Sequence, residues 1–188
     1  MLATKYFQIS HKNHQASNLQ EVKSLRLIKS SNLPGSDFEG AQMQGVNIRH
    51  SNLAKAKFRK CNLRASVLRH SNLKGSDLEW ADFSHNLCFR VNLAKSNIQC
   101  ATLEGSNIVE SRLYGADFNW TNLKDCSFKN SNLEAVNFCN SDLEGATFEN
   151  CKLRGSTYNM NTVLPFSYEM AQRIGMEFVP LKIFATLQ

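Results

Sequence analysis

The chain has 188 residues, with 22 Lys or Arg against 16 Asp or Glu and a net charge of +6. With 42% hydrophobic and 20% charged residues it has enough apolar material for a core, which excludes a disordered chain. No apolar run approaches the roughly 18 residues of a membrane span, and residues 1–10 lack the apolar stretch of a signal peptide, so the expectation is a cytoplasmic protein with no membrane partner.

Residues 1–30 show no sustained pattern. Residues 6–9 and 25–28, apolar apart from Gln8 and Arg26, are expected to form an N-terminal cap. Ser17, Asn18 and Leu19 look like a stray repeat, out of register with Leu33 by one residue.

From Leu33 to Tyr158 an apolar residue recurs every five positions, twenty-six times without an insertion. We name this position the centre. Two residues before it stands a small residue (Ser31, Ser36, Ala41, Val46), and between them a polar one, often Asn or Asp. Eight of the nine glycines fall two residues after a centre. A period of five is neither the 3.6 of a helix nor a long strand's 2.0. Short extended pieces explain it: the centre and its small partner point inward together, the residue between them points out, and two residues turn the chain. Four sides close a square in twenty residues. The columns then stack like on like: Leu33, Leu53, Leu73 and Leu93 on one side, Phe38, Phe58, Phe118 and Phe138 among the next. The spacing predicts an all-β quadrilateral β-helix over 31–160, of about six and a half coils and roughly 31 Å long.

Ser71-Asn72-Leu73-Lys74-Gly75 and Ala81-Asp82-Phe83 match the A(D/N)LXX pattern, and on these motifs the chain resembles the pentapeptide-repeat proteins. The resemblance implies a right-handed coil. It also implies kinship with proteins that protect type II topoisomerases, including quinolone-resistance proteins, some of which pair through their C-terminal ends.

Residues 84–89 form the weakest repeat. In strict phase Cys88 faces in while Leu87 and Phe89 face out, beside Val67 and Val109 one coil away on either hand. Together they would make an exposed apolar patch, a common mark of a contact surface. A local one-residue slip, or cover by the N-terminal segment, would hide it. Beyond Pro165, Ser167 is a fair N-cap and Gly175 a good terminator, so a short helix over about 168–174 is expected within a C-terminal cap of 161–188. Phe178, Val179, Leu181, Ile183 and Phe184 form an apolar tail. It would pack on its own last coil or, as the resemblance implies, serve as a homodimer contact.

No residue set points to catalysis. The six cysteines include no C-x-x-C, and Cys61, Cys88, Cys126 and Cys151 occupy inward slots, where a thiol packs as a small hydrophobe. His50 and His70 should stack, but Arg90 follows them, so no metal site is expected. No G-K-[ST] follows the early glycines, and a filled rod offers few pockets, so neither an enzyme nor a cofactor is expected. Charge is more informative. Between residues 41 and 75 there are eight Lys or Arg and no acid; between 131 and 150 there are four acids and no base. Arg49, His50, Arg69, His70 and Arg90 gather on one corner, while Trp80 and Trp120 share another with Cys100 between them. The expectation is a non-enzymatic interaction rod that presents charged faces to a protein or to nucleic acid. The alternatives are topoisomerase protection, for which the positive charge is ill suited, and direct nucleic-acid binding through the basic coils. Head-to-tail association of basic and acidic ends is a further expectation.

Overall fold

The turns are built by the outward Asn and Asp residues. Asn72 Oδ1 accepts the N–H of Lys74 at 3.1 Å, Asp77 Oδ1 that of Glu79 at 3.1 Å, and Asp82 Oδ1 that of Ser84 at 3.0 Å. A side chain that caps the N–H two residues on bends the backbone locally. The next inward residue then closes the corner: Ser76 N–H donates to Leu73 O and Ala81 N–H to Leu78 O, both at 3.0 Å. Two residues after each centre from Leu33 to Leu153 the backbone is left-handed. Gly75 serves there at φ 65°, yet Lys55 holds φ 59° and Ala135 φ 56°, so the stack imposes this conformation on residues that avoid it alone.

The computed structural model describes residues 7–10, 18–20 and 25–181. These residues wind as a parallel β-solenoid, and successive coils pair at an offset of twenty. On three sides the pairing is by single bridges, such as Asn72↔Asn92, Asp77↔Asn97 and Asp82↔Thr102. The fourth side is continuous. Strands β1 (Phe7–Ser10), β2 (Leu25–Lys29), β3 (Asn47–Arg49), β4 (Val67–Arg69), β5 (Leu87–Phe89), β6 (Asn107–Val109), β7 (Ser127–Lys129) and β8 (Thr147–Glu149) form one parallel sheet in sequence order. The corner after this side is made differently. Ser51 N–H donates to Ser71 Oγ at 3.3 Å, and Val91 N–H to Ser111 Oγ at 3.1 Å. Each of these serines also donates to the carbonyl two residues back, Ser71 to Arg69 and Ser111 to Val109.

The stack has about eight coils rather than six and a half. Strands β1 and β2 supply the difference. Ile28 is fully buried and pairs with Ile48, so it is a centre in phase with the rest. The coil before it is one residue short: Ile9 pairs with Ile28 and Asn18 with Asp37. That deletion is why Leu19 stands one residue out of step.

Inside, the columns meet as their side chains require. Leu73 and Leu93 are fully buried on one wall. Phe38 stacks on Phe58 at 4.9 Å and 4°, and Phe128 on Phe148 at 5.2 Å and 5°. At the C-terminal end, helix α1 (Tyr168–Arg173) begins where Ser167 Oγ accepts the Met170 N–H at 3.3 Å. Ala171 and Met176 are buried against the last coil. Strands β9 (Thr157–Tyr158) and β10 (Glu177–Phe178) pair in parallel.

Candidate functional site

On the continuous side, two outward columns flank the buried centres. One column runs Asn47, Val67, Leu87 and Asn107; the other runs Arg49, Arg69, Phe89 and Val109. The strict phase holds through the weak repeat. Cys88 is 2% exposed and Leu87 is 51% exposed, with Val67, Phe89 and Val109 half-buried around it. Arg69, Leu87, Phe89, Asn107 and Val109 line a shallow depression of about 350 Å³. The backbone of this side is extended whatever stands in the outward position, Asn47 and Asn107 included, and extended backbone can display apolar residues in rows.

The basic residues adjoin this patch. Arg49 and Arg69 form no ion pair among the described residues, and Arg49 Nε is buried without a hydrogen-bond partner. His50 and His70 lie on the following corner with rings stacked at 5.0 Å and 4°. The His70 ring meets Phe89 edge-on at 5.4 Å, and the Arg90 guanidinium sits 4.9 Å from the Phe89 ring centre. So the two groups inferred separately, the basic corner and the apolar patch, share one surface through Phe89.

Arg90 is not a free cation: its Nε donates to Glu110 Oε2 at 2.7 Å. The same logic runs along the rod. Lys57 pairs with Asp37, Arg59 with Glu79, Lys124 with Glu144 and Lys129 with Glu149. Each pair is twenty residues apart, so opposite charges at that spacing could have exposed Glu110. A groove of about 500 Å³ also opens beside Arg90, lined by His70, Asn72, Asn92, Glu110 and Arg112.

The thiols are built into the interior. Burial pushes the Cys61 and Cys126 thiols up to about 12 and raises Cys88 as well. Cys61 Sγ donates to Ala41 O at 3.1 Å and Cys126 Sγ to Leu103 O at 2.9 Å. Cys151 is only half-buried. Among the described residues no three His, Cys, Asp or Glu side chains converge on a common point. None of their helices is long and apolar enough to cross a membrane.

In the C-terminal tail, Phe178 meets Tyr158 edge-on at 5.6 Å, and Val179 N–H donates to Tyr158 O at 2.7 Å. The tail lies against its own last coil, yet Phe178, Val179 and Leu181 stay 50%, 40% and 42% exposed. Ile183 and Phe184 lie outside the described residues.

The family model described as pentapeptide repeats matches in eight copies, over residues 29–59, 47–84, 88–125 and 121–157. A trypsin-treated form of QnrB1, a plasmid-mediated fluoroquinolone resistance protein, is similar over 93% of this chain and 92% of its own, at 13% identity and a TM-score of 0.63. HetL, a pentapeptide repeat protein involved in heterocyst differentiation regulation from the cyanobacterium Nostoc sp. strain PCC 7120, is similar over 84% of each chain, at 16% identity and a TM-score of 0.49. At such identities the likeness is one of fold. No curated protein matches the chain.

Proposed function

We propose that this chain, which belongs to the pentapeptide-repeat family, is a non-enzymatic interaction rod whose continuous sheet side docks an acidic protein surface. The observation that carries the reading is the union of Arg49 and Arg69, without acidic partners, with the apolar step of Leu87, Phe89 and Val109. An uncovered apolar patch bordered by cations is the composition of an interface core and its rim. Electrostatic attraction would speed encounter, and burial of Leu87 and Phe89 would slow release. Six unpaired thiols suit a reducing compartment, and we place the rod in the cytoplasm.

Nucleic acid is the second reading, supported by the band of bases between residues 41 and 75. A phosphate backbone, however, offers nothing to the apolar step. Topoisomerase protection draws support from the fold shared with QnrB1. A supercoiling assay with and without quinolone addresses it directly.

The test is affinity capture from native cytosol with the wild-type rod and with Arg49→Glu, Arg69→Glu and Arg90→Glu combined. The variant should lose a set of acidic proteins that wild type holds, and the loss should be mimicked by salt. Unchanged capture of every protein removes this surface from the account. Capture that vanishes on nuclease treatment transfers the surface to nucleic acid.

A further inference from the structure

On the corner diagonally opposite the arginines, the position two residues after a centre carries Lys60, Trp80, Cys100 and Trp120 in successive coils. Trp80 and Trp120 are 57% and 59% exposed, and each holds φ 61°. A left-handed backbone disfavours so bulky a side chain by about 1 kcal/mol. Exposure on this scale leaves little hydrophobic gain to offset it. Neither indole is needed to make the corner, since Gly40 makes the same turn at φ 68°.

The two indoles stand two coils apart, about 10 Å along the rod. Cys100, far smaller than an indole and half-buried, stands between them. Two carboxylates border it. Glu79 Oε1 accepts the Trp80 indole N–H at 3.1 Å, while its other oxygen meets Arg59. Asp117 accepts from three neutral donors: Gln99 Nε2 at 2.8 Å, Asn119 N–H at 3.0 Å and Asn137 Nδ2 at 2.9 Å. It forms no ion pair among the described residues. Burial raises the Cys100 thiol, and Glu79 and Asp117 push it the same way, so both charges are felt at Cys100, between the indoles.

We propose that Trp80, Trp120, Glu79 and Asp117 form a receptor for an arginine side chain on a segment of a partner protein. A cation level with Cys100 stands about 5 Å along the rod from each indole, inside the roughly 6 Å reach of a ring face. Asp117 supplies an uncompensated charge. The planar guanidinium can lie against indole faces while turning N–H groups toward a carboxylate, which a compact ammonium does less well. Phosphate is repelled by the same two carboxylates, so the exposed indoles do not serve as a platform for stacked bases. The rod thereby carries two recognition corners of opposite preference.

Trp80 and Trp120 are the chain's two tryptophans, so emission excited at the red edge, where the four tyrosines do not absorb, reads this site alone. We would titrate the full chain with a tetra-arginine peptide and, separately, with a tetraglutamine peptide. The arginine peptide should change the emission saturably and the glutamine peptide should not. Asp117→Asn, which keeps the shape and removes the charge, should weaken binding at least fivefold. Trp80→Ser and Trp120→Ser, each read by the remaining indole, should weaken it at least tenfold with circular dichroism unchanged. Glu134→Gln, an acid on another corner, should leave it unchanged. The proposal is overturned by a linear response, by an equal response to glutamine, or by affinity that falls as much with Glu134→Gln as with Asp117→Asn.

Discussion

The sheet side and the three turn sides enclose the same interior but bend the chain by different chemistry. On the turn sides an Asn or Asp faces solvent and caps the N–H two residues on, as Asn72 does for Lys74. Most outward positions there are thus committed to the turn, although Lys57, Thr102 and Arg112 stand in such positions without a cap. On the sheet side the outward residues are Asn47, Val67, Leu87, Asn107, Ser127 and Thr147; Asn47 Oδ1 has no hydrogen-bond partner, and the corner depends instead on a buried serine of the next coil. Moving the turn chemistry inward frees the surface. This is why one side of the rod can present Arg69 beside Phe89 and Val109 while the other three carry a polar ladder.

Four measurements put that contrast at risk, in order of decreasing expected change. The interiors should be equivalent: Phe128→Ala behind the sheet and Phe118→Ala behind a turn side, both fully buried, should each cost about 3–5 kcal/mol in urea unfolding. A cost confined to one of them would show that the two sides do not share one core.

The corners should then differ. Ser111→Ala leaves the Val91 N–H without its acceptor and should cost about 1–3 kcal/mol. Asn72→Ala removes a solvent-facing cap and should cost about 1 kcal/mol or less. Equal costs would deny the serine its special place.

Third is pH. Cys61 and Cys126 stay protonated in the fold to about 12, whereas in the unfolded chain thiols ionise near 8.5. Above that value the unfolded state releases protons first, so the contribution present at neutral pH is lost as pH climbs toward 12. Urea midpoints measured between pH 7 and 10.5 should decline, and Cys61→Ala with Cys126→Ala should flatten the decline. The smallest effect belongs to the surface itself. Leu87→Ser should shift stability by no more than about 0.5 kcal/mol, because the side chain is half outside. It should nonetheless weaken partner capture.

Most of the scaffold was legible because a period of five, sustained without an insertion, admits few backbones. The columns of Leu73 with Leu93 and of Phe38 with Phe58 followed from counting alone. The N-terminal coils were harder to see because one deleted residue breaks the count between Ile9 and Ile28. Ile28 itself lies in phase, but no small residue precedes it by two, Arg26 standing there instead. The gathering of His50, His70 and Arg90 was readable from the twenty-residue spacing. That Arg90 is answered by Glu110 was readable too, but only by comparing charges across coils rather than along the chain. The packing of Phe89 against the His70 edge and the Arg90 guanidinium was not, since it depends on where side chains lean.

Because every coil bonds only to the coils above and below it, tension applied at the two termini has no cross-brace to act against. The rod should unspool from an end, one turn at a time. Each rupture would release twenty residues of slack, about 65–70 Å of contour, and the force trace would be a sawtooth with evenly spaced teeth.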